Sequence, residues 1–197
     1  MSTSRIGVLA LQGAFREHVS LLHALGAGAV EVRTPEELER CAGLVLPGGE
    51  STTIGKLLAS SGLDAALGEY RGPLLGTCAG MILLAREASD GLPGQLLLGV
   101  IDIVVRRNGY GRQLHSFEAD LEVEGDPRPL HGVFIRAPRI ERVGPGAHVF
   151  AHLDGEPVAV EQGRAIATSF HPELAGEARI HERFLERVRT ASAATAV

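Results

Sequence analysis

The chain has 197 residues, of which 45% are hydrophobic, and a formal net charge of −5. That length suits one α/β domain with enough apolar content for a real core, and the acidic balance excludes the basic footprint of a nucleic-acid binder. Tryptophan is absent and aromatic residues make up 4%, which lends no support to a stacking platform for bases or sugars.

Cysteine use and the N-terminus narrow the class further. Two cysteines, Cys41 and Cys78, make neither a disulfide framework nor a zinc cluster, and they fit a reducing cytoplasm. The first apolar run, Ile6 to Leu11, is too short to span a membrane. It lacks a convincing cleavage site and reads as a strand rather than a signal peptide. Gln12-Gly13-Ala14 makes a turn, and Phe15 to Leu25 carries apolar residues at helical spacing. Ala29 to Val32 is a second strand. Thr34-Pro35-Glu36-Glu37 opens a helix with a cap, a proline in the first turn and acids at the positive end. Gly43 to Leu46 is a third strand, ending in Pro47-Gly48-Gly49-Glu50-Ser51. Helices are predicted over Gly55 to Ser60 and Leu63 to Tyr70, then a strand over Pro73 to Gly76. Strands alternating with helices imply a parallel sheet with right-handed crossovers.

After Gly91 the pattern changes. Gly99 to Val105, Phe117 to Val123, Gly132 to Arg136, His148 to Leu153 and Pro157 to Gln162 read as strands at short intervals. This suggests antiparallel strands added at one edge of the sheet. Arg164 to Phe170 is a further strand, Glu177 to Val188 a closing amphipathic helix, and residues 190–197 a frayed tail. No linker or repeat divides the chain, so a single domain over residues 1–197 is expected.

The chemistry centres on Gly76-Thr77-Cys78-Ala79-Gly80, between an apolar strand and the helical run Met81 to Ala85. It is the sulfur counterpart of G-x-S-x-G, in which a sharp turn lifts a nucleophile clear of the sheet. A helix N-terminus beside the sulfur favours the thiolate. Taken alone, Cys78 is equally well a small buried hydrophobe. A cysteine nucleophile needs a base, and the chain has eight histidines. His171 follows a strand at the edge expected to hold Cys78. Glu173 lies two residues on, and in extended backbone such residues project to one side. Glu173 would hold the ring and stabilise the imidazolium, the third role of a triad. His18, His23, His115, His131, His148, His152 and His181 read as surface or packing residues. The backbone N–H groups of Ala79 and Gly49 are candidate oxyanion donors.

These motifs resemble the class I, triad glutamine amidotransferases: Gly76 to Gly80, Pro47 to Ser51, and His171-Pro172-Glu173. Further motifs extend the likeness to the glutaminase subunits of pyridoxal 5'-phosphate synthase. They are Gly7 to Gly13 with Glu17-His18, Leu46 to Thr53, Arg107 to Gln113, Ser116-Phe117-Glu118, Val133 to Pro138 and Ser169 to Leu174. Tyr110 stands where that family often has phenylalanine. The resemblance implies a three-layer, flavodoxin-like α/β fold with a mostly parallel central sheet and antiparallel edge strands. It implies hydrolysis of L-glutamine to glutamate and ammonia, with Cys78, His171 and Glu173 catalytic. Gly49, Glu50, Ser51, Arg107, Ile135 and Arg136 would surround glutamine. No cofactor, metal, nucleic acid or membrane is implied. The implied partner is a synthase subunit, a (β/α)₈ barrel in a dodecameric core, touched through Gln12, Gly13 and Gly48. The alternative is a catalytically silent scaffold subunit of the same complex.

Overall fold

The computed structural model describes residues 5–110 and 116–195. Gly111, Arg112, Gln113 and His115 therefore lie outside the described residues, as do the last two residues of the expected tail. The elements, in chain order, are β1 (Arg5–Leu9), α1 (Phe15–Ala24), β2 (Gly28–Val32), α2 (Pro35–Glu39), β3 (Gly43–Leu46), α3 (Ser51–Ser61) and α4 (Leu63–Glu69). They continue with β4 (Leu74–Thr77), α5 (Ala79–Leu84), β5 (Ala85–Ala88), β6 (Ile101–Arg106), β7 (Ser116–Val123) and β8 (Asp126–Ile135). β9 (Arg139–Val143), β10 (His148–Leu153), β11 (Glu156–Gln162), β12 (Ala165–Thr168) and α6 (Arg179–Thr195) complete them.

The large sheet has the order β2-β1-β3-β4-β12-β11-β10-β7-β8. Its first five strands pair in parallel, and the remaining four add antiparallel at one side. Alternation along the central strands builds two cores. Leu44 and Leu46 of β3, Leu74 of β4 and Ala167 of β12 face one way, into a cluster with Leu38, Ile54, Leu58 and Leu83 from α2, α3 and α5. Val45, Leu75 and Ile166 face the other way, onto Leu22 of α1 and Ile180, Phe184 and Val188 of α6. Helices therefore cover both faces of a sheet buried on both sides, as a parallel sheet requires.

Three expectations need correction. The run read as Gly99 to Val105 does not extend the main sheet. It forms β6, in a separate three-stranded sheet ordered β5-β6-β9. Ala85, read as the last residue of a helical run, instead opens the strand β5, Ala85–Ala88. The helix stops at Leu84 because Ala85 turns extended, with ψ 154. α6 runs on to Thr195, because Ala191, Ala193 and Ala194 are good helix formers.

The parallel strands point their carboxyl ends to one edge, as β4 and β12 illustrate by pairing Thr77 with Thr168. In open α/β sheets that edge carries the ligand crevice. The chain leaves it five times: at Gln12 after β1, Arg33 after β2, Gly48 after β3, Cys78 after β4 and His171 after β12.

Candidate active site

Cys78 caps α5 with φ 49 and ψ −102, a conformation costing a non-glycine residue about 1–3 kcal/mol. The surroundings hold it there. Its backbone N–H donates to the Thr168 carbonyl at 2.8 Å, tying the turn to the end of β12. Gly80 lets the turn close, since a Cβ there would run into the Leu46 carbonyl. The thiol donates to the Ile135 carbonyl at 3.8 Å.

His171 is brought to this turn by the strand end beside it. Its N–H donates to the Val133 carbonyl at 2.8 Å, which locks the segment against β8. Its Nδ1 lies 2.7 Å from Glu173 Oε1, and Glu173 is fully buried at its side chain. Burial disfavours an imidazolium here, but hydrogen bonds to Cys78 and Glu173 outweigh it and push the His171 pKa up to about 10. Burial also works against the Glu173 carboxylate. The His18 and His171 rings prevail and hold its pKa well below the usual range. The backbone of Gly48 lies so close to the His171 ring that a Cβ would collide with it.

Cys78 and His171 sit at the base of a cleft of about 250 Å³. Gly49, Glu50, Ser51, Ala79, Arg107, Ile135 and Arg136 all line it, as do Gln12, Gly13 and Gly48. Glu173 stands behind His171, out of the cleft. The Glu50 carboxylate is already engaged: it accepts from the N–H groups of Thr52 and Thr53 and from both hydroxyls, as the N-cap of α3. Burial works to raise its pKa, but these bonds together outweigh it and bring it down to about 2. The Arg107 guanidinium lies 3.6 Å from Glu50 Oε1, and the Ser51 hydroxyl accepts from the Gln95 amide at 3.3 Å. Gln12 Oε1 accepts the Glu50 N–H at 2.8 Å, so Gln12 pins the Gly48-Gly49 loop from within. Gly48 is buried beneath Gly13 and the His171 ring. Of the three expected partner contacts, Gln12 and Gly13 reach the surface.

Some cleft residues escaped the sequence reading. Asn108 lies inside the Arg107 to Gln113 motif without standing out from it, and Leu174 closes the motif that begins at Ser169; Ile82 belongs to neither. His18 and His181, read as surface or packing residues, prove to be interior ones. Both have 0% exposure, and both connect to the carboxylate behind the base. For His18 a trace was legible: it shares a helical face with buried Leu22, four residues on.

A strained cysteine on a strand-to-helix turn, a histidine–glutamate pair from a neighbouring strand end and a glycine loop beside them make an arrangement that can carry thiol-dependent acyl transfer. Comparison with known proteins agrees. The model of the SNO glutamine amidotransferase family matches residues 8–190, and the chain belongs to that family. It is 56% identical over 196 residues to "Pyridoxal 5'-phosphate synthase subunit PdxT" of Parafrankia sp., covering 96% of each chain. It is 54% identical to the protein of that name from Streptomyces coelicolor, covering 98% of this chain and 97% of the relative. Among solved structures, a glutamine amidotransferase superposes with a TM-score of 0.87 at 52% identity, over 93% of this chain and 98% of its own. A second glutamine amidotransferase, from Thermotoga maritima, shares the fold at 16% identity, with a TM-score of 0.58 over 98% of this chain and 86% of its own. The architecture is thus that of the class I glutamine amidotransferases, mostly parallel in the core with antiparallel strands at one side. No helix among the described residues is long and apolar enough to cross a membrane.

Proposed function

We propose that the chain is the glutaminase component of a pyridoxal 5'-phosphate synthase and hydrolyses L-glutamine through Cys78, His171 and Glu173. The observation that carries this reading is the pairing of Cys78 with a buried His171 whose far nitrogen is held by Glu173 at 2.7 Å. Cys78 gives its proton to His171, and its sulfur attacks the side-chain amide carbon. The carbonyl oxygen becomes an oxyanion, met by the backbone N–H groups of Ala79 and Gly49. A single donor of this kind is worth about 10²–10³ in rate. The C–N bond then breaks, and His171 passes its proton to the departing ammonia. Water, activated by His171, opens the γ-glutamyl thioester and restores the thiol.

Glutamine binds among Gly49, Glu50, Ser51, Arg107, Ile135 and Arg136. Arg107 suits the substrate carboxylate. Glu50, held ionised by its caps, puts a negative charge on the cleft wall for the ammonium. Ammonia released into water becomes mostly ammonium, which is no nucleophile. Delivery to a synthase subunit, a (β/α)₈ barrel in a dodecameric core, avoids that loss. The cleft mouth supports docking there, since Ile135 and Leu174 are large apolar side chains 39% and 41% exposed, beside Gln12 and Gly13. The free thiols of Cys41 and Cys78 fit work in the cytoplasm.

The test is ammonia release from glutamine with increasing synthase subunit, for the wild type and Cys78→Ala. Turnover is expected to rise on docking. Cys78→Ala should abolish it while leaving the complex intact. Turnover retained by Cys78→Ala would remove Cys78 from its role. A complex that forms without ammonia release in the wild type would leave a scaffold subunit instead.

A further inference from the structure

The triad does not end at Glu173. One carboxylate oxygen, Oε1, meets His171. The other, Oε2, is buried with no hydrogen-bond partner among the described residues, and His18 Nε2 stands 3.4 Å from it, within ion-pair distance. The same His18 nitrogen lies 3.2 Å from Thr77 Oγ1, an oxygen that also accepts the Gly48 N–H at 3.1 Å. On its other side, His18 Nδ1 lies 2.8 Å from His181 Nε2. His181 Nδ1 is buried without a partner among the described residues.

Proton placement along this row has one economical solution. A buried N–H with no acceptor is the rarest kind of unpaired polar group, so His181 carries its proton on Nε2 and leaves Nδ1 bare. Burial keeps that ring neutral, lowering its pKa to about 3. His181 Nε2–H then donates to His18 Nδ1. The His18 proton is thereby placed on Nε2, where it points between Thr77 Oγ1 and Glu173 Oε2. The ionisable groups facing the row are Glu173 and His171 from the segment after β12, with Cys78 of the β4–α5 turn beyond the ring. α1 contributes His18 and α6 contributes His181.

We propose that His18, its tautomer set by His181, is a positioning residue for the triad. Its Nε2–H holds the Glu173 oxygen that His171 leaves open, and so keeps the carboxylate ionised and its plane fixed behind the base. This rests on the glutaminase reading above. It assigns work to two histidines, one from each end of the chain, that never touch the substrate.

The test uses the complex with the synthase subunit, and active sites are counted by labelling Cys78 with a glutamine-analogue electrophile. His18→Leu removes the donor. It should lower kcat roughly 10- to 100-fold, the loss of one charge-assisted hydrogen bond expressed as a rate ratio, and leave KM for glutamine within about twofold. Without the donor the Glu173 carboxyl titrates higher, so the acid limb of the kcat/KM profile should move to higher pH. His18→Gln keeps an N–H near the same place and should restore both the rate and the limb. Wild-type kcat in His18→Leu would overturn the proposal. Equal losses in both variants with the acid limb unmoved would also overturn it, because that is how a packing role behaves. A wild-type complex that releases no ammonia overturns the glutaminase reading and this inference together. An active wild type matched by His18→Leu overturns the inference alone.

Discussion

His171 carries a large electrostatic departure at the heart of the candidate site. Burial opposes its charge, Cys78 and Glu173 support it, and the balance lies at about 10 against an ordinary 6.5. A base whose folded pKa is raised adds stability that is complete below 6.5 and is lost as pH climbs through about 10. The sign for Glu173 is the reverse. Its folded pKa is depressed, so its contribution is complete above 4.5 and is lost as pH falls through the folded value. Cys78→Ala removes the sulfur that helps hold the imidazolium. The His171 titration, followed by histidine NMR, should therefore fall below its wild-type midpoint. An unmoved midpoint would assign the whole shift to Glu173.

Among the elements, α3 is tied to the cleft most directly, because its N-cap is the cleft residue Glu50. One carboxylate serves the Thr52 and Thr53 donors and faces Arg107. Glu50→Ala should cost about 1 kcal/mol of stability in urea unfolding, the usual loss of an N-cap, and should raise KM for glutamine. Glu50→Ser restores a cap without a charge, so it should recover the stability and keep the raised KM. If Glu50→Ser recovered both, Glu50 would be a cap and nothing more. The elements around it differ in how legible they were. The parallel strands were readable because burial on both faces makes short continuous apolar runs such as Gly43-Leu44-Val45-Leu46. β5 was not: Ala-Arg-Glu-Ala has no strand preference and follows a helix without a breaker. β6 was recognisable as a strand, but nothing local records which sheet it joins.

At the scale of the molecule, the site is assembled by topology. β4 and β12 lie side by side although long stretches of chain separate them in sequence, and α1 and α6 bring His18 and His181 together under the same edge. Cys78, His171 and Glu173 stood out in sequence because each belongs to a compact local motif. The His18–His181 contact could not, since it depends on how two helices from opposite ends of the chain settle on one sheet face. The proposed nucleophile's own backbone has a cost at this scale. With φ at 49, Cys78 occupies a conformation that only glycine adopts freely. Cys78→Gly should therefore melt above Cys78→Ala, by about 1–2 kcal/mol of extra stability, although both lack the sulfur. Equal melting of the two would mean that the turn is not strained. The residue proposed as the nucleophile is thus also one at which the fold would be sturdier with a different amino acid. On the proposed mechanism, mutational drift toward robustness at this one codon would remove the sulfur on which turnover depends.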